Sequence, residues 1–234
     1  HSLYGPQLVY NVNPSWVIPV RNNAYVKLFA SLSTAYITPT LYQLYTVWGG
    51  NKNLQPERDE NAEAGFSVVL DKKIQSTFAY YYRTEQQAIG YSALYQYVNM
   101  DANRYVSGLT ADVKWDMNRL FSVSANYAYT QVNLPQTFYR IPGHKAGATL
   151  AFTLKGTSAQ VRYLYTGKRT DSNFPGEVVL HAFDLVDVHV SQALYKEKFN
   201  VFVSVNNLLN EDFVAVYGYT TQKRNFSTGV KYMF

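Results

Sequence analysis

The stretch "DLVDVHV", residues 184 to 190, sets Asp187 and His189 two positions apart, with Asp184 just upstream. A carboxylate that orients an imidazole is the kernel of many general acid–base sites, and a spacing of two places both side chains on one face of a strand. A working site needs more. No Ser stands in a Gly-x-Ser-x-Gly setting, no second carboxylate is positioned by a motif, and His1, His144, His181 and His189 show no paired metal spacing. These residues therefore read as the wet face of a strand, and no catalytic residue, cofactor or resident metal is expected.

Rings and isolated charges offer binding chemistry instead. In "LYQLYTVWGG", residues 41 to 50, Tyr42, Tyr45 and Trp48 are large side chains in a connection that follows a strand. Such rings either clasp a bulky, flat, partly apolar ligand or pack among neighbouring loops as an interfacial belt, and both readings stay open. Arg140, Lys168 and Arg169 stand at loop bases, the last two just before Asp171-Ser172-Asn173-Phe174-Pro175. They either donate hydrogen bonds to a polar ligand or solvate the loops.

Composition narrows the class. The 234 residues hold no Cys, 22 Tyr, 13 Phe and 3 Trp, with 16% charged residues, against about 25% in an average soluble domain. An amphipathic ring suits a membrane interface, so a Tyr-rich chain of strands implies aromatic girdles. The net charge of +5 comes from 21 Lys and Arg scattered singly, which argues against nucleic acid as a partner. No run approaches the ~18 apolar residues of a transmembrane helix. The chain opens on His1 with no signal peptide, as expected of a mature or cut product.

The elements that must position these residues alternate with period two. Strands are predicted at about 7–20, 24–37, 58–71, 74–89, 95–115, 119–130, 143–154, 157–170, 180–194, 198–208 and 222–234, with no helix. In "FNVFVSVN", Phe199, Val201, Val203 and Val205 oppose Asn200, Phe202, Ser204 and Asn206. Connections alternate in length: "RNN", "DKK", "DMN", "KG" and "YKEK" are tight, while the Pro- and Gly-bearing segments between them are long. Short turns at one end and long loops at the other is the arrangement of an outer-membrane barrel, so the expected fold is an all-β antiparallel transmembrane β-barrel in contact with outer-membrane lipids. An odd count of about eleven strands would leave two unpaired edges in hydrocarbon. The chain is not expected to close by itself.

Three segments carry a family resemblance. "TAYITPTLYQLYTVWGGNKNLQPERDENAEAGF" (34–66), "VSVNNLLNEDF" (203–213) and "VYGYTTQKRNFSTGVKYMF" (216–234) resemble, in order, motifs of the TonB-dependent receptor family. The resemblance implies that residues 1–234 are the C-terminal half of a barrel of about 22 strands. The plug and the first half of the barrel would lie upstream, and the energy-transducing TonB complex would be a partner. Within the family the wording is most similar to outer-membrane cobalamin receptors, through Tyr36, Pro39, Leu41, Gln43, Leu44 and Tyr45 and through Tyr217, Gly218, Tyr219, Thr221 and Arg224. Thr38 departs from it, standing where the family commonly has a small residue after a basic one.

What the resemblance implies for function is active import of cobalamin or a related corrinoid. Tyr219 would face the cargo, with Tyr217, Tyr42, Tyr45, Trp48, Arg140 and Phe174 contributing. Calcium loops would lie in the upstream half, and a surface lipoprotein would be a possible cap. A receptor for ferric siderophore or haem is the alternative, although "LYQLYTVWGGNK" lacks the His that haem receptors carry between the upstream motifs. A passive porin-like barrel is a second alternative. The terminal Phe234 resembles the final aromatic that barrel proteins present for membrane assembly.

Overall fold

A computed structural model describes residues 3–92, 94–133, 139–173, 176–195 and 198–232. Phe174 and Phe234 lie outside these residues. The elements are β1 (Asn11–Val12), β2 (Ser15–Arg21), β3 (Ala24–Ile37), α1 (Leu41–Tyr45), β4 (Glu57–Leu70), β5 (Ile74–Gln86), β6 (Ile89–Tyr91), β7 (Tyr97–Asn99) and β8 (Arg104–Asp116). They continue as β9 (Phe121–Val132), β10 (His144–Leu154), β11 (Thr157–Thr166), β12 (Arg169–Asn173), β13 (Gly176–Leu180), β14 (Phe183–Leu194), β15 (Phe199–Asn206) and β16 (Asn225–Tyr232).

The long strands form one antiparallel meander in which each pairs with the next: β3, β4, β5, β8, β9, β10, β11, β14, β15 and β16. Both β1 and β2 lie along the free edge of β3, at Ser33–Leu32 and at Phe29–Ala24. They make up a single interrupted strand, broken at Asn13-Pro14, where proline has no N–H to give a ladder. Counted so, the sheet has the eleven strand positions expected. Its edges, β1/β2 and β16, do not pair with each other.

Two further hairpins were not foreseen. β6–β7 and β12–β13 stand apart from the main sheet and fold inside long connections. The strands predicted at 74–89 and 157–170 therefore end early, at Gln86 and Thr166, and those predicted at 95–115 and 180–194 begin late, at Arg104 and Phe183, giving way to rim hairpins. The helix α1 was likewise missed. Thr40 caps it by accepting from the Gln43 N–H at 3.2 Å, and the Gln43 side chain accepts from the Thr40 N–H at 2.8 Å. This reciprocal capping box stabilises a helix too short to show a period.

Directly opposed residues share a face, so register sorts the side chains. One face runs through Leu28, Phe66, Phe78, Ala111, Tyr127, Ala146 and Tyr165, and later through Val188 and Val205. The other runs through Ser67 and Thr77, Ser122, Thr149, Arg162 and Asp187, and His189 and Ser204. Rings mark both ends of the apolar face. Tyr82–Tyr105 at 6.0 Å and Tyr129–His144 at 5.0 Å lie toward the long loops; Phe121–Phe152 at 5.1 Å and Phe199–Tyr232 at 4.9 Å lie toward the tight turns.

Among the described residues, no protein layer covers this apolar face. Phe226 is 71% exposed, Val230 66% and Val203 51%, a cost no water-soluble sheet would sustain across its whole face. Bilayer hydrocarbon is the solvent that suits it, and the two ring belts suit its interfaces. The tight turns fit the same picture: Lys155 and Gly156 both hold positive φ, 45° and 83°, as a two-residue turn between Leu154 and Thr157 requires.

Two central positions of β11 test the assignment of faces. Val161→Arg, on the apolar face, should cost about 2–4 kcal/mol when the protein is refolded into phospholipid vesicles and titrated with denaturant. Gln160→Arg, on the opposite face, should cost under about 1 kcal/mol. Equal costs would contradict the assignment.

Candidate ligand-binding rim

Above the long-loop end of the sheet, the connections fold into two clusters. In the first, the β3–β4 connection packs on the β6–β7 hairpin around the buried Leu44, Leu54 and Ala88. Amide side chains tie it together: Asn51 Nδ2 donates to the Tyr97 carbonyl at 2.8 Å, and Asn99 Nδ2 donates to the carbonyls of Gln55 and Gln87 at 2.8 and 2.7 Å. Gly49 is obligatory here. At φ +83° it brings its backbone so near that a Cβ would lie 1.9 Å from the Tyr95 carbonyl oxygen.

This platform displays three of the expected site residues. Tyr42 sits in α1, edge-on to Tyr97 at 6.4 Å, and Tyr97 contacts Tyr91 at 4.2 Å. A hydrogen bond with Tyr97, helped by burial, pushes the Tyr91 hydroxyl up to about 12. The Lys52 ammonium lies 5.5 Å from the Tyr45 ring centre, while Trp48 is 79% exposed. The rings stand on the β3–β4 connection, with Tyr42 packed on the β6–β7 hairpin through Tyr97.

The second cluster joins the β12–β13 hairpin to residues 139–140 and to the last long loop, 207–224. Its centre is a buried pair of charges, Arg169 and Asp171. Arg169 Nη2 donates to the carbonyls of Val214 and Ala215, Nη1 donates to that of His181 at 3.3 Å, and the guanidinium lies 5.1 Å from the Phe183 ring centre. Asp171 accepts from the N–H groups of Tyr217 at 2.9 Å and Ser172 at 2.8 Å, with Arg140 Nε at 3.5 Å. Burial works to raise the Asp171 carboxyl. The two backbone donors, Arg140 and Arg169 outweigh it and hold the group below its ordinary value.

Among the sequence-named residues, the structure thus brings Arg140 and Tyr217 to one carboxylate. Tyr219, 73% exposed, closes a turn by donating its N–H to the Val216 carbonyl at 3.2 Å, and Gly218 within that turn has φ +80°. Arg169, expected either to donate to a polar ligand or to solvate a loop, donates instead to backbone carbonyls of His181, Val214 and Ala215. Asp171 was not singled out. Its signal was faint: an acid two residues after an Arg, in a loop that periodicity could not resolve.

The segment "VSVNNLLNEDF" has a mechanical role. Asn207, buried with φ 51°, donates its N–H to Asp187 at 2.9 Å and its Nδ2 to the Glu211 carbonyl at 2.9 Å, and accepts from the Glu211 N–H at 2.8 Å. It turns the chain out of β15 into the last loop. Asp187 is also held by Arg162 Nη2 at 2.6 Å, and His189 Nδ1 pairs with Ser204 Oγ at 2.7 Å. Asp184 lies on the opposite face, accepting from Tyr163. The three candidates for acid–base chemistry therefore do not converge. Among the described residues, no three His, Cys, Asp or Glu side chains form a metal-binding group.

A lipid-facing antiparallel meander, with polar residues on its inner face and structured loops at one end, defines the chain as part of an outer-membrane β-barrel. The family described as TonB dependent receptor-like, beta-barrel matches residues 5–208, and the chain belongs to it. The vitamin B12 transporter BtuB of Vibrio cholerae serotype O1 is 26% identical over 212 residues, covering 88% of this chain and 34% of that protein. The chain spans about a third of the length of the curated relatives it matches. Among solved structures, a mutant ferric enterobactin receptor of Pseudomonas aeruginosa superposes with a TM-score of 0.80 at 19% identity, covering 98% of this chain and 40% of that one. The pyoverdine outer-membrane receptor FpvA of Pseudomonas aeruginosa PAO1 gives 0.75 at 16%, covering 97% and 36%.

The lowered Asp171 carboxyl has a pH consequence. A carboxyl depressed in the folded state stabilises the loop contact fully above its ordinary value of 3.8 and loses it only as pH falls through the lower folded value. The Tyr217 amide resonance, followed by NMR in detergent, should therefore titrate with a midpoint below pH 3.8. A midpoint near 5 would contradict this account of the contact.

Proposed function

We propose that residues 1–234 are the C-terminal half of the barrel of an active importer whose cargo is cobalamin or a related corrinoid. The observation that carries the cargo is the 26% identity to a vitamin B12 transporter over 88% of this chain. The rim supports it, because two aromatic and hydrogen-bonding clusters suit a flat, amide-bearing macrocycle better than a small hydrated ion. In this reading the upstream half of the receptor pairs with both free edges and supplies the plug, and the TonB complex pulls on that plug. Any calcium site belongs to the upstream half, and a surface lipoprotein would cap the loops.

Tyr219 is the proposed principal contact, with Tyr217 and Arg140 beside it on the same rim cluster. Tyr42, Tyr45 and Trp48 contribute from the other, and Phe174 is a further proposed contact. The chain's own residues bind and orient the cargo; no bond is made or broken.

Binding of cyanocobalamin to the purified receptor tests this, with a ferric siderophore and haem as competitors. Tyr219→Ala should weaken cyanocobalamin binding about threefold to thirtyfold while leaving folding intact, since an aromatic contact contributes about 0.5–1.5 kcal/mol beyond its area. A wild type that ignores cyanocobalamin at micromolar concentration but binds an iron chelate would replace the corrinoid by the chelate. Solute passage independent of the energy source would favour a passive pore.

A further inference from the structure

Arg169 and Asp171 are 6% and 3% exposed, the deepest charged pair among the described residues, yet they lie in a two-stranded ribbon on the rim. Burying opposite charges is costly unless nearly every lone pair and N–H finds a partner. Here the partners come mostly from outside the ribbon. Arg169 bonds carbonyls at His181, Val214 and Ala215, while Asp171 holds the Tyr217 N–H and lies within reach of Arg140. A second backbone bond, from the Arg140 N–H to the Thr170 carbonyl at 2.7 Å, fixes that corner to the residue between them.

Beyond this pair the last loop is held at its base by Asn207 and otherwise mainly to itself, with Asn210 Oδ1 accepting from the Arg224 N–H at 3.1 Å and Asp212 facing Lys223 at 3.2 Å. Phe213 lies against Phe183 at 4.5 Å and its carbonyl accepts from the Thr221 hydroxyl, but no described atom lies within 4 Å of where a Cβ on Gly218 would be, and the Tyr219 N–H closes its own turn onto the Val216 carbonyl. The turn that displays Tyr217 and Tyr219 is thus seated chiefly through residues 214, 215 and 217, all of which reach Arg169 or Asp171. We propose that Arg169 and Asp171 are positioning residues, a clamp that binds the last loop, the β12–β13 ribbon and the Arg140 corner into one ligand-contacting unit. The ligand half of this inference rests on the corrinoid reading above; the mechanical half does not.

The test compares wild-type receptor with Asp171→Ala and the near-isosteric Asp171→Asn, after checking that outer-membrane yield is unchanged. By hydrogen exchange, protection of residues 213–219 should fall about tenfold in Asp171→Ala, as expected for loss of one charge-assisted hydrogen bond, with an intermediate fall in Asp171→Asn. Peptides from β15 should not change. Protection of 213–219 that is unaltered in both variants would overturn the clamp. If Asp171→Ala alone fails to assemble, Asp171→Asn decides by the same criterion. Cyanocobalamin binding then separates positioning from direct contact: Asp171→Ala should weaken it, and the loss in the double variant Asp171→Ala/Tyr219→Ala should be smaller than the two single losses combined. Fully additive losses would overturn the positioning role. A wild type that does not bind cyanocobalamin sinks the corrinoid reading, while the exchange result still decides the clamp.

Discussion

Everything in this structure depends on the fate of backbone N–H and C=O groups in hydrocarbon. No water is available there to satisfy them, so each must pair with a neighbouring strand. From β3 to β16 the ladders meet this demand without a break: β3 and β4 stay in register from Ala24 opposite Leu70 to Ile37 opposite Glu57. A slip of one residue would turn Leu28 and Phe66 inward and push Lys27 and Ser67 into lipid. The period of two in the sequence is the record of that constraint.

The same constraint relaxes at the long-loop end, and the chain changes character there. Irregular backbone becomes tolerable once water or buried side chains can satisfy it. Asn51 and Asn99 bond backbone groups of another segment and Asn207 those of its own loop, all acting as struts where no ladder runs. Arg169 and Asp171 do the same with charge, and nearly full burial makes their bonds strong because water does not compete. The rim is thereby a set of small folded units standing on the sheet.

This division explains what could be read from the sequence. Ten of the strand positions were legible because lipid on one side and water on the other impose a strict alternation, as in Phe199 to Asn206. The first position was legible too, but the break at Pro14 shows only when Pro14 is asked to donate to β3. α1 was invisible to periodicity at five residues, though Thr40 and Gln43 carry its capping signature. The β6–β7 and β12–β13 hairpins have strands of three and five residues, too few to alternate convincingly. Tyr217 and Arg140 were chosen for their chemistry; that they share Asp171 depends on contacts 46 and 31 residues distant in sequence, which no local pattern encodes.

Fold and cargo are consequently written in different residues. A TM-score of 0.80 at 19% identity means that the sheet survives replacement of most of its side chains, as it should when a face asks only for an apolar group and a ladder asks for no side chain at all. Discrimination between cargoes cannot come from positions that are so freely exchanged. In the importer reading proposed above it would come from side chains held at fixed distances on the rim, among them the rings around Tyr97 and the turn seated on Asp171. Changing what such a receptor binds would then require no change in the barrel, only a different set of struts and rings on the same eleven-strand platform.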